Sequence, residues 1–321
     1  MIPDGAERLP ITAAGFALIV LGLFLAAPVS IALARARWTL RAPGWSLLLW
    51  QAVCLGAGFS VVAGLSLLAV EPAGHTLVGA GLDWWASLLA GELTVWRAAC
   101  GLLSLAITAV LLASLTRTVW RTVSRRRMHR QMVDLLSRPV PARVPLGTGC
   151  QVRLMDHRSA VAYTLPGLHA RLVLSTGLVD LLTPAELTTV VEHERAHLRA
   201  RHDILILPFQ AWVAAFGRVP GVREAGRSVG ELTEMLADDV AAGHSDPKVL
   251  ASALARVALE GRCAADAPGK SSSPAGPSTC IADRVRRLRN RNPLPSVARS
   301  GIAAAAVVLL AVPAMVLTLT W

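Results

Sequence analysis

The sequence predicts a mainly α fold: a helical membrane protein of four spans, with an α+β domain inserted between the third span and the fourth. Three observations predict it. Residues 11–34, 42–70, 98–116 and 301–321 carry no charged side chain, and each run exceeds the roughly 18 apolar residues that mark a membrane-crossing helix. Between the third and fourth runs lies a polar stretch, 121–300, long enough for one folded domain. The whole chain of 321 residues is 54% hydrophobic and 17% charged, against about 25% charged in an ordinary soluble domain.

Taken in order, the first span is expected at about 11–34. Its leader, "MIPDGAER", is not a positive n-region, and its apolar run is longer than the roughly 7–15 residues of a secretory h-region, so it is expected to stay in the membrane. The second and third spans are expected at about 45–70 and 97–116, which makes 1–120 an N-terminal membrane region, and the fourth at 301–321. Pro28 and Pro313 should kink their helices, which neighbouring helices can accommodate. Trp38, Trp45, Trp96, Trp120 and Trp321 stand at run ends, where amphipathic rings sit at the headgroup level.

The connections set an expected orientation. The first carries Arg35, Arg37 and Arg41; the second, 71–96, has Glu71, Asp83 and Glu92 but no Lys or Arg. The third opens with Arg117, Arg121, Arg125, Arg126, Arg127 and Arg130 and closes with Arg284, Arg286, Arg287, Arg289, Arg291 and Arg299. Positive charge stays on the cytoplasmic side, so both termini are expected outside and the 121–300 domain inside. The net charge of +11 is thereby read as anchoring beside anionic lipid, because the arginines abut the spans. No helix-turn-helix signature or aromatic-basic interleaving points to nucleic acid as a partner. The five cysteines form no C-x-x-C pair and indicate neither a disulfide framework nor a cysteine zinc site.

Inside the domain, 262–280 is rich in Pro, Gly, Ser and Ala and reads as a flexible loop. The charge-free part of "DILILPFQAWVAAFG" after Asp203 is short for a span and reads as a buried or half-inserted helix on the bilayer. Thr183, Pro184 and Glu186 spell a capping box with a proline start, so a helix should begin there and run to about Arg201. It contains "HERAH", the spacing H-E-x-x-H, at His193, Glu194 and His197. Four residues advance about 400° and 6 Å, so the two imidazoles share one face and can share one ion, while Glu194 on its shoulder is placed to act on water. Chance alone gives this spacing in roughly one such chain in a hundred. A catalytic zinc usually has three protein ligands, and "ELTEMLADDVAA" offers Glu234 as the third, with Asp238 orienting a ligand imidazole. Asp238 as the ligand itself is the main competitor, and Asp239 a distant one. His244, just past that helix, is the candidate transition-state donor. His75, His129, His157, His169 and His202 read as surface residues.

The stretch "AYTLPGLHARLVLSTGLVDLLTPAELTTVVEHERAHLRARHD" with the later "ELTEMLADDVAA" resembles the BlaR/MecR-type membrane zinc metallopeptidases and, more distantly, the HtpX-type and CAAX-prenyl-type membrane proteases. The resemblance covers about 160–260 and the four-span arrangement. It implies a zincin-like α+β metallopeptidase domain of gluzincin type, with Zn²⁺ on His193, His197 and Glu234 and Glu194 as base. It also implies regulated proteolysis of a cytoplasmic protein, a BlaI/MecI-type repressor among the candidates, with 162–167 as a strand edge that pairs with substrate. Well-known sensors of that family continue into an external penicillin-binding domain, whereas this sequence stops at Trp321, so a β-lactam receptor role is not expected. A homodimer is one admissible assembly. The rival expectation is a non-catalytic signalling scaffold with a structural or vestigial zinc site.

Overall fold

The structure, a computed structural model, describes residues 11–70, 77–139, 150–167, 170–265, 278–290 and 292–320. His75, His169 and most of the loop expected at 262–280 lie outside them. The first apolar helix is α1 (Ile11–Phe24), a π-helical turn (Leu25–Val29) and α2 (Ser30–Arg35). The turn contains Pro28, which has no N–H to give and crowds the carbonyl four residues back. Part of the disturbance is absorbed locally, because the Ser30 hydroxyl donates to the Leu25 carbonyl at 2.8 Å. A 3-10 turn (Arg37–Arg41) leads into α3 (Pro43–Ala69), which starts on a proline at its first position, the one helical site where the missing N–H is harmless.

The connection expected to be a loop contains α4 (Leu77–Ala90). The third apolar run lies within α5 (Val95–Leu136), 42 residues long. At 1.5 Å per residue that is about 63 Å, twice the roughly 30 Å hydrocarbon thickness, so α5 is longer than one crossing needs, and its arginine-rich C-terminal part leads the chain to the sheet. Four strands follow: β1 (Ser137–Pro139), β2 (Gln151–Met155), β3 (Ala162–Leu165) and β4 (Arg171–Ser175). Their order is β1-β2-β4-β3, with β2 and β4 parallel and the two outer strands antiparallel to their neighbours. The remaining helices are α6 (Thr176–Leu181), α7 (Pro184–Arg199), α8 (His202–Leu205), α9 (Leu207–Phe216), α10 (Pro220–His244), α11 (Pro247–Ala265), α12 (Ser278–Arg289) and α13 (Ser296–Thr320).

Among the described residues, four helices are long and apolar enough to cross a membrane: Ile11–Arg35, Pro43–Ala69, Val95–Leu136 and Ser296–Thr318. Large apolar side chains on their outer faces, such as Val20, Leu112 and Val307, are exposed, as lipid contact requires. Within the bundle α3 is central. A Cβ on Gly64 would fall 2.5 Å from the Gly15 carbonyl oxygen, so α1 and α3 meet backbone to backbone, the close approach that small residues permit between helices in a membrane.

The polar domain is not a separate ball on a tether. Phe209 of α9 and Ala225, Val229 and Leu232 of α10 share one buried cluster with Leu47, Trp50 and Val53 of α3. The Ser114 hydroxyl of α5 donates to the Ala211 carbonyl of α9 at 2.7 Å. A second core lies under the sheet, where Leu172 and Leu174 of β4 meet Leu178 of α6, Leu187, Val190 and Val191 of α7 and Ala253 of α11. α7 therefore sits between the sheet and α10, and α10 sits between α7 and the spans.

Candidate metal centre

The start of α7 is fixed by its cap. The Thr183 side chain accepts from the Glu186 N–H, and the Glu186 carboxylate accepts from the Thr183 N–H at 3.0 Å. That carboxylate is also gripped by the Ser252 hydroxyl of α11 at 2.7 Å, so the cap doubles as a tertiary clasp. Two turns on, His193 and His197 present their Nε2 atoms to each other at 3.2 Å. Glu234, from the middle of α10, brings one oxygen to 3.4 Å from His193 Nε2 and the other to 3.5 Å from His197 Nε2. Among the described residues these three form the one group of donors able to hold a metal ion, with ligand atoms within 4.8 Å of one another.

The spacing tests whether zinc fits. Ligands at about 2.0–2.1 Å from a tetrahedral centre lie about 3.3–3.4 Å apart along each edge. The observed separations, 3.2 Å between the rings and 3.4 and 3.5 Å from each ring to its own Glu234 oxygen, are close to that value, and the set of two imidazoles and one carboxylate is one that zinc accepts.

Asp238, one turn after Glu234 and 1% exposed, lies behind His193: its Oδ1 is 2.9 Å from His193 Nδ1, approached obliquely to the ring. Its carboxylate also takes two hydrogen bonds from Arg284 of α12, at 2.7 and 2.8 Å, and a third nitrogen of Arg284 lies 3.2 Å from Glu234. One guanidinium thus ties both acids of α10 together. Asp239 points away and pairs with Arg287 at 2.5 and 2.7 Å, which removes it from the ligand set.

Glu194 is half-buried and turns toward β3, where it is hydrogen-bonded to the Thr164 side chain. Burial pushes its carboxyl up to about 7; Glu234 adds to this, while His193, Arg284 and Thr164 oppose it. At His193 burial works downward, but Asp238 and Glu234 outweigh it and hold the imidazole at about 9. Burial leads at His197 and takes it down to about 4. Glu234 is brought down to about 2 against its own burial by His193 and Arg284, and Asp238 is held well below the usual carboxylate range by Arg284 and His193. Without an ion, the two ionised acids are balanced by Arg284 and the protonated His193, and a metal ion would take the place of the His193 proton.

Residues 122–258 match the model of peptidase family M48. The matched segment contains His193, Glu194, His197, Glu234 and Asp238 and supports a metallopeptidase domain; it ends before Arg284. No curated protein and no solved structure matches.

The structure brings together His193, Glu194, His197, Glu234 and Asp238. It does not bring His244, which ends α10 ten residues beyond Glu234, about 15 Å along the axis. His244 is exposed there and bonded through Nδ1 to the Val240 carbonyl at 2.9 Å. The expectation for His202 is corrected: it is 2% exposed, with Nδ1 3.0 Å from Nδ1 of His197. A helix continued from α7 would have rotated it off this face, but α7 stops at Arg199 and Arg201 adopts φ 50. That left-handed residue, uncommon outside glycine, turns the chain back and folds His202 against His197. By sequence Arg284 belongs with the arginines beside lipid, yet it is 8% exposed. Its signal was present: residues 284 and 288 share a helix face, Leu288 is buried, and a buried acid such as Asp238 needs a partner.

Proposed function

We propose that this protein is an integral-membrane zinc endopeptidase that hydrolyses a protein substrate on the arginine-rich side of the bilayer. The observation that carries the reading is the group of His193, His197 and Glu234, whose donor atoms lie within 4.8 Å of one another, with Glu194 next to His193 on the same helix. His193 Nε2, His197 Nε2 and a Glu234 oxygen would hold the zinc. When bound, zinc supplies Lewis acidity toward a peptide carbonyl and lowers the pKa of water toward neutrality. Glu194 takes the proton from the attacking water and gives it to the departing amine. Asp238 fixes the ring of His193 through Nδ1, and His202 does the same for His197. β3 is an edge strand of the sheet, paired only with β4 among the described residues. An extended substrate added along its free edge would run past Thr164 and Glu194.

Following the positive charge, this side is the cytoplasm and both termini are outside. The shared packing of α10 with α3 supports regulated rather than constitutive proteolysis, because a shift of the spans reaches the helix that carries Glu234. A repressor of the BlaI/MecI kind is the proposed substrate class.

The test is zinc content and proteolysis measured together on the full chain in nanodiscs, with denatured casein as a general probe beside a purified repressor. Glu194→Gln should keep its zinc and lose about 10²–10⁴ in rate. Full cleavage by that variant overturns the assigned base. A wild type that takes up no zinc from a zinc-replete medium leaves the non-catalytic scaffold in its place.

A further inference from the structure

Away from the metal centre, the arginine-rich ends of the second and fourth spans enclose a cavity of about 610 Å³. Its walls are the start of α3, the outer face of α12 and the approach to α13. We infer that this cavity is a binding site for the phosphate-bearing headgroup of an anionic lipid.

Charge is the first argument. Four arginines line the cavity, Arg41, Arg286, Arg287 and Arg299, against two acids, Asp239 and Asp283. Both acids are taken: Arg287 closes on Asp239 through two nitrogens, and Arg286 donates to Asp283 at 2.8 Å. Arg41 is held in place without being neutralised, since its Nε donates to the Asn292 carbonyl at 3.0 Å and another nitrogen donates to the Asn292 side-chain oxygen at 3.1 Å. Arg299 makes no ion pair with a described residue. Two positive charges are thus left over around one cavity, one on a guanidinium already oriented by a neutral amide. Guanidinium forks suit phosphate oxygens.

Position is the second. The cavity opens where α3 begins, and the unbonded N–H groups of that helix's first turn add favourable potential for an anion. Trp45, 38% exposed, forms part of the wall, and tryptophan at a span's end marks headgroup depth. Leu48, one turn deeper on α3, is 46% exposed, giving an acyl chain an apolar surface directly below the headgroup. A free phosphate would satisfy the arginines but has no use for Trp45 and Leu48. Basic pockets between spans are where anionic headgroups settle. This assignment does not depend on the peptidase reading.

The experiment uses purified full-length protein in detergent, with retained lipid read by native mass spectrometry and melting followed in parallel. The probes are phosphatidylglycerol, phosphatidylcholine and inorganic phosphate. Wild type should retain phosphatidylglycerol in preference to phosphatidylcholine and melt higher with it, and inorganic phosphate at millimolar concentration should do neither. Arg41→Gln/Arg299→Gln should weaken phosphatidylglycerol retention about 30-fold, two arginines at about 1 kcal/mol each. Arg121→Gln/Arg125→Gln, the same charge loss at exposed positions on α5, should leave retention within about two-fold. Arg41→Lys/Arg299→Lys keeps the charge and serves as the folding control, binding within about ten-fold of wild type. Equal losses in the two glutamine pairs would reduce the effect to general attraction and overturn the site. A melting increase with inorganic phosphate matching that with phosphatidylglycerol would overturn the lipid as its source.

Discussion

Replacing Arg284 by methionine probes the part of the centre that lies beyond its ligands. The substitution keeps the length of the side chain and removes its charge, leaving Asp238, 1% exposed, without the two hydrogen bonds at 2.7 and 2.8 Å that hold it ionised. Removing one partner of a buried ion pair costs about 3–5 kcal/mol. At about 2–4 °C per kcal/mol for a domain of this size, the melting temperature should fall by about 6–20 °C. The consequence for the metal is separate. Without Arg284 the Asp238 carboxyl rises toward protonation, His193 loses an anionic neighbour at Nδ1, and zinc affinity should drop about 10–100-fold. Melting in nanodiscs gives the first quantity and competition with a fluorescent chelator gives the second. Asp238→Asn should show the same pair of losses, and the double variant should be no worse than the worse single one. If Arg284→Met melts within about 2 °C of wild type and binds zinc equally well, the guanidinium does not organise the site and the argument for its role fails.

Two further outcomes follow from contacts at either end of α7. His202→Phe keeps a buried ring but removes the nitrogen 3.0 Å from His197; chelator competition should show zinc held about 10-fold more weakly, and unchanged affinity would mean that His202 does not orient its neighbour. At the cap, burial would raise the Glu186 carboxyl, yet hydrogen bonds from Thr183 and Ser252 and the charge of Arg256 outweigh it and bring the group below its ordinary 4.5. A depressed folded pKa stabilises above the unfolded value and is lost as pH falls through the folded one. Melting of the wild type should therefore decline as pH drops below about 4.5, and Glu186→Gln, which can still accept from the cap but does not titrate, should show a shallower acid slope.

The parts legible in the sequence are those that short stretches encode. Four charge-free runs are enough to specify four apolar helices, because a bilayer-spanning segment must satisfy its own backbone and present apolar atoms all round. Thr183, Pro184 and Glu186 start α7 by themselves, and the four-residue step from His193 to His197 follows from helix geometry alone. Glu234 could be proposed because α10 is an uninterrupted helix with acids at 234 and 238 on one face. The run at 204–217 already reads as a helix too short to cross, and α9 is indeed packed against the spans.

The tertiary structure decided what depends on contacts between distant segments. Arg284 meets Asp238 across 46 residues, with a stretch outside the described residues between them, and no local pattern encodes that pairing. His202 is buried because one residue, Arg201, takes a left-handed turn, a choice that tertiary packing stabilises against ordinary backbone preference. Arg41 and Asn292 lie 251 positions apart, and only the packing of the second span against the fourth makes them neighbours. By itself the sequence determined which chemical groups are present and which local geometry each helix offers, since propensity, capping and hydrophobic period act within a few residues. Which groups could surround an ion, which acid is held charged and where the surplus arginines gather were left to the fold, because burial and long-range charge pairing exist only once the helices are packed.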